Sequence, residues 1–133
     1  MKIYDCFSYW DEDLLLDIRF NILNSYVDYF VIVEGNKTWQ NNPKEFRFDI
    51  NKFSKFKDKI IYVQVKDLPD GNDPYKRENF QRNSITKGIN GASNDDLIII
   101  SDLDEIPNPK TISNFDKKMR YATFEQKHFY YKL

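Results

Sequence analysis

Four short apolar runs, set between stretches of helical spacing, limit what this chain can fold into. IYDCF (3–7), YFVIVE (29–34), KIIYVQV (59–65) and DDLIIIS (95–101) read as strands. YFVIVE is β-branched and almost wholly apolar, the pattern of a strand covered on both faces, and DDLIIIS reads as another buried strand. DLLLDIRFNILNSYV (13–27) places Leu14, Leu15, Ile18, Ile22 and Leu23 at helical spacing, with Asp11 as N-cap. KRENFQRNSITKGI (76–89) suits a second helix with Phe80, Ile85 and Ile89 toward the core, and PKTISNFDKKM (109–119) a short third. YATFEQ (121–126) adds a last strand. Residues 35–50 are polar and Asn-rich, DLPDGNDP (67–74) is dense in turn residues, and both read as loops. The order β-α-β-loop-β-α-β-α-β implies an α/β fold with a mostly parallel sheet flanked by helices. No repeat, low-complexity segment or second boundary interrupts residues 1–133, which read as one domain. Open sheets of this kind bind ligands beyond the carboxyl ends of their strands.

Composition removes several classes of function. Twenty basic and 21 acidic residues leave a net charge of −1, too little field to favour nucleic acid or an anionic membrane. Aromatics make up 17% of the chain but sit in apolar runs, without the basic interleaving of single-strand binders. Cys6 is the only cysteine and reads as a buried structural thiol, so no intrachain disulfide is expected. His128 is the only histidine, which leaves no zinc-type ligand set. Asp5 interrupts the first apolar run, unlike a signal peptide, and no run approaches a membrane span. The expected location is therefore cytoplasmic.

The segment IIISDLDEIP (98–107) carries the chemistry. Three isoleucines run into Asp102, Asp104 and Glu105, whose like charges need water or a cation to compensate them. In an extended chain residues i and i+2 point the same way, so Asp102 and Asp104 can face one ligand while Leu103 turns to the core. Two carboxylates at a strand end suit Mg2+ or Mn2+ and leave coordination positions for phosphate oxygens. An ion held there can neutralise a diphosphate leaving group. No GxxxxGK[ST] or GxGxxG occurs, so phosphate charge falls to the ion and to arginines such as Arg77 or Arg82. An isolated D-x-D more often lies on a solvated loop; here the preceding strand and the exits at Pro107 and Pro109 favour a metal site.

Four blocks, IYDCFSYWDEDLLLDIRFNIL (3–23), VDYFVIVEGNKTW (27–39), KFKDKIIYVQVKDLPD (55–70) with YKRENFQRNSI (75–85), and DDLIIISDLDEIPNP (95–109), together resemble glycosyltransferase family 17, a family of β-1,4-N-acetylglucosaminyltransferases. The resemblance implies a GT-A-like fold, a UDP-sugar donor carrying N-acetylglucosamine, a glycan acceptor, and inverting transfer aided by Mn2+ or Mg2+. It implies that Asp102 and Asp104 hold metal and diphosphate, and that Asp5, Glu34, Arg77 and Arg82 belong to the donor site. Glu12, Arg19, Glu78 and Gln81 also match family positions. Members are expected to run further, so this chain reads as an incomplete, donor-binding portion, with the general base beyond Leu133.

Each of these residues also has a plainer reading. Asp5 either caps a turn or faces the nucleotide. Glu12 and Arg19, seven apart on one helical face, suit an ion pair or surface charge. Glu34 either contacts a ligand or partners an arginine. Arg77 and Arg82 do not share a helical face, and Arg82 can pair with Glu78. Trp39 either stacks on a sugar or base, or anchors its loop. Two other functions compete: an inactive nucleotide- or sugar-binding module, and a haloacid-dehalogenase-type phosphatase. The phosphatase motif wants Thr or Val where Ile106 stands.

Overall fold

The computed structural model describes residues 1–125. Its sheet is built from β1 (Ile3–Ser8), β2 (Tyr29–Gly35), β3 (Ile60–Val65) and β4 (Leu97–Ile100), ordered β3-β2-β1-β4 with every pairing parallel. The α/β reading therefore holds. Helix α1 (Asp13–Leu23) joins β1 to β2, and α2 (Pro74–Asn83) with α3 (Ile85–Gly88) lies between β3 and β4. A short α4 (Pro109–Ser113) follows β4.

Both faces of the sheet are covered, and alternation sorts the side chains between them. Phe7, Phe30, Ile32 and Ile99 join Leu16, Phe20 and Leu23 of α1 in one cluster with Phe48, Phe53 and Phe56. Cys6, Val31, Val33, Val63 and Val65 join Leu68 and Ile85 in the other. Strands advance from β1 to β2 to β3, and the chain then crosses back to place β4 on the far side of β1. This reversal of direction puts a topological switch point between β1 and β4, where such sheets open a ligand crevice.

Several local expectations are corrected. The buried stripe of α1 is Leu16, Arg19, Phe20 and Leu23, while Leu14 (75%), Ile18 (39%) and Ile22 (40%) are exposed. The run DLLLDIRFNIL is apolar on more than one face, so spacing did not single out the stripe that packs. Glu12, not Asp11, precedes α1, and its carboxylate accepts from the Trp10 and Asp11 amides at 3.0 and 3.2 Å instead of capping the helix. The segment 76–89 breaks into two helices at Ser84, and α2 starts earlier, at Pro74, where Asp73 accepts from the Tyr75 amide at 3.0 Å. A 3-10 segment, Ile50–Lys59, kinked at Phe53, precedes β3. Its only apolar anchors are Phe53 and Phe56, too sparse a pattern to announce a helix. α4 ends at Ser113, short of residue 119. Residues 121–125 form no strand, and the rest of that expected strand, with His128, lies outside the described residues. β4 is paired on one side only among the described residues, so Ile100 is 56% exposed rather than buried.

Gly88 lets α3 lie directly on the sheet. A Cβ there would stand 2.4 Å from Val31 Cγ1 and 3.2 Å from Val63 Cγ2. Gly88→Ala is expected to lower the unfolding free energy by about 1–3 kcal/mol, read as a lower urea midpoint; an unchanged midpoint would show that the helix can lift without cost. Burial pushes the Cys6 thiol from 9.0 up to about 12. A raised folded pKa stabilises the neutral thiol below pH 9.0, and that contribution is lost as pH climbs through about 12. Cys6 should stay silent to thiol reagents at pH 8 and react once urea unfolds the chain; rapid labelling of the native protein contradicts this.

Candidate functional site

The acidic turn leaves β4 at the switch point. Leu103 is 5% exposed and packs into the core, while Asp102 and Asp104 on either side of it are exposed. The alternation expected from the sequence is present. Glu105 closes the turn: its amide donates to the Asp102 carbonyl at 3.0 Å, and its carboxylate accepts from the Asp102 amide at 3.1 Å.

Arg19 holds this turn from beneath. It is fully buried on α1, against the face of β1 that carries Asp5 and Phe7. Nε and Nη2 donate to the two Asp5 carboxylate oxygens at 2.8 and 2.6 Å. Nη1 donates to the Asp102 and Leu103 carbonyls at 2.8 and 3.1 Å, with a longer approach of 3.4 Å to the Glu105 carbonyl. Nη2 also donates to Ser101 Oγ at 2.6 Å, and the guanidinium carbon lies 4.6 Å from the centre of the Phe7 ring. One buried cation thus joins α1, β1 and the D-x-D turn. Arg19 pairs with Asp5 and not with Glu12.

Two more buried charges hold neighbouring loops. Glu34, at the end of β2, accepts from Lys44 Nζ at 2.5 Å, the Arg47 and Phe48 amides at 2.8 and 3.0 Å, and the Tyr62 hydroxyl at 2.7 Å. That network folds residues 36–48 back onto the sheet. Burial, and then the Glu34 hydrogen bond, push the Tyr62 phenol above its ordinary range, so it remains a donor. Arg77, 1% exposed, donates to the Trp39 carbonyl through Nε at 2.8 Å and again through Nη2. Its Nη1 reaches the Gly71 and Pro69 carbonyls at 2.6 and 3.3 Å. The loops after β2 and β3 are tied together there.

Asp5, Glu34 and Arg77 thus spend their polar atoms on the protein. Arg82 is different: half-exposed, it stands 3.4 Å from both Asp102 Oδ1 and Glu78 Oε1. Of the expected site residues, the structure brings Arg82 and Asp102 together at the surface, with Asp104 beyond Leu103. Sequence reading passed over Trp10, whose ring lies 5.7 Å from that of Trp39. Its only signal was its place just past the end of β1.

Removing one partner of a buried ion pair strands the other. Asp5→Ala should cost roughly 3–5 kcal/mol in urea unfolding; a loss no larger than that of a surface substitution would show that Arg19 does not depend on Asp5.

A model of glycosyltransferase family 17 matches residues 1–131. The human β-1,4-mannosyl-glycoprotein 4-β-N-acetylglucosaminyltransferase is 34% identical over 103 residues, 70% of this chain and 19% of the relative. The mouse protein of the same name is 33% identical over the same shares. The matched part therefore spans under a fifth of either relative. No solved structure matches the chain significantly. Sequence, sheet topology and these likenesses agree: the chain belongs to glycosyltransferase family 17.

Proposed function

We propose that this chain is the donor-holding part of a glycosyltransferase of GT-A type. In this reading it transfers N-acetylglucosamine from a UDP-sugar to a hydroxyl of a glycan acceptor, with inversion. The observation that carries the reading is the acidic turn, presented to solvent at the switch point while the charges behind it are engaged by the protein. Family membership supports sugar transfer over the phosphatase alternative.

Asp102 and Asp104 suit a hard divalent ion in kind, being exposed oxygen donors, and suit it in number only as a partial shell. Among the described residues no group of three acidic, His or Cys side chains could enclose an ion. Mg2+ and Mn2+ are compatible with such a shell, which water and phosphate oxygens complete. Held by Asp102 and Asp104, such an ion would supply Lewis-acid neutralisation of diphosphate charge.

The chain's own residues do the rest. Arg82, half-exposed and 3.4 Å from Asp102 Oδ1, would supply a positive charge to meet phosphate. Arg19 and Asp5 act as positioning residues, fixing the backbone on which both aspartates ride. Glu105 has its carboxylate on the Asp102 amide, so it is not assigned as the base that takes the acceptor proton.

Titration calorimetry of UDP-N-acetylglucosamine, with and without Mn2+, tests the proposal. Metal-dependent heat is expected, and an Asp102→Asn/Asp104→Asn variant of unchanged circular dichroism should abolish it. Equal heat in that variant overturns the role of the acidic pair. Transfer to glycan acceptors separates turnover from binding alone.

A further inference from the structure

The sequence contains a single Asn-Gly pair, Asn90–Gly91, and it falls in the turn between α3 and β4. The Ala92 amide closes that turn by donating to the Ile89 carbonyl at 2.9 Å. Ile89 and Ala92 pack against the cluster of Val31, Val63 and Ile85, while Asn90 and Gly91 between them are exposed. The core thus anchors both ends of the turn and holds its middle in solvent.

Among the described residues, neither the Asn90 side-chain amide nor the Gly91 backbone amide has a hydrogen-bond partner. A Cβ built on Gly91 would meet nothing within 4 Å. The Gly91 nitrogen therefore has no bond to give up and no side chain of its own in the way as it nears the Asn90 carboxamide carbon. Water reaches both groups freely.

We propose that Asn90 is a self-modification site, at which the Gly91 nitrogen displaces ammonia from the Asn90 side chain. The bond from Gly91 N to Asn90 Cγ forms and the Cγ–Nδ2 bond breaks. The Gly91 amide proton leaves with the departing nitrogen, and a cyclic succinimide remains. Water then opens the ring at one of its two carbonyls. Opening at Cγ leaves aspartate; opening at the backbone carbonyl leaves isoaspartate, whose main chain runs through the former side chain. Nothing is oxidised or reduced, and water is the only co-reactant. Either product puts a new carboxylate ahead of Asp95 and Asp96. Isoaspartate also lengthens the main chain between two residues that packing holds in place. The proposal goes beyond the glycosyltransferase reading and does not depend on it.

Asp70–Gly71, the single Asp-Gly pair, is an internal contrast. It too is exposed, but Lys37 Nζ lies 2.5 Å from Asp70 Oδ1 and holds that carboxyl below the usual carboxylate range. An ionised carboxylate repels an incoming electron pair and has no good leaving group, so Asp70 should stay as it is.

The native full chain is incubated in mildly alkaline buffer, digested and mapped by mass spectrometry, with isoaspartate read by enzymatic methyl transfer. The Asn90 peptide should exchange an amino group for a hydroxyl in mass and split into two products, ahead of every other asparagine, with Asp70 unchanged. Asn90→Gln should abolish the conversion. Gly91→Ala, at a position whose φ is not positive, keeps the turn and should slow it about tenfold. The native rate should lie within about tenfold of that in urea, because the folded turn already exposes both groups. Conversion in urea but not in the native protein, equal conversion at other asparagines, or an unaltered rate in Gly91→Ala overturns the proposal.

Discussion

The Arg19–Asp5 pair is the contact on which the arrangement of this molecule turns. Taking two charges out of water is costly and is repaid only when every donor and lone pair finds a partner. Arg19 meets that condition by spreading its fork over a carboxylate, a hydroxyl and successive carbonyls of the acidic turn. Asp5 sits in register with Phe30 and Ile99, at the middle of the sheet. Its position therefore follows from strand pairing, and the turn's position follows from Asp5 through Arg19. A lysine could not replace this, having no planar fork to span carboxylate and backbone together.

The same device recurs along the carboxyl edge of the sheet. Glu34 gathers the backbone and side chains of residues 44–48, and Arg77 gathers the carbonyls of two loops. In each case an irregular segment, unable to satisfy its own backbone, is satisfied by one buried charge. The outcome is a division of labour by depth. Charges below the surface fix loops, and Asp102, Asp104 and Arg82 are left facing solvent. Rigid support under exposed polar groups is what a binding site needs if its groups are to be in place before the ligand arrives.

Much of the fold was legible in local pattern. YFVIVE became a strand because a short, β-branched apolar run suits a sheet covered on both faces. The D-x-D was legible for the same reason: Leu103 continued the buried alternation and left its neighbours outside. Less local features misled. Leu14, Ile18 and Ile22 keep helical spacing on the open face of α1, because the packed stripe was chosen by what the sheet presents. The edge position of β4 was likewise invisible in LIII, whose composition matches that of a strand enclosed on both sides.

For the site, residue type and spacing were enough to say that a parallel α/β sheet would end one strand in two outward carboxylates, since periods of 2 and 3.6 are properties of the backbone alone. They could not say which charges would be buried. Asp5, Glu34, Arg77 and Arg82 look alike as letters, and each allows a ligand contact or a structural partner. Burial was decided by strand order and by contacts such as that between Arg19 and the Asp102 carbonyl, 83 residues apart. Only the assembled sheet, with β4 beside β1, brings such distant segments close enough to neutralise one another. What remained exposed after that assembly, Asp102, Asp104 and Arg82, is the candidate site.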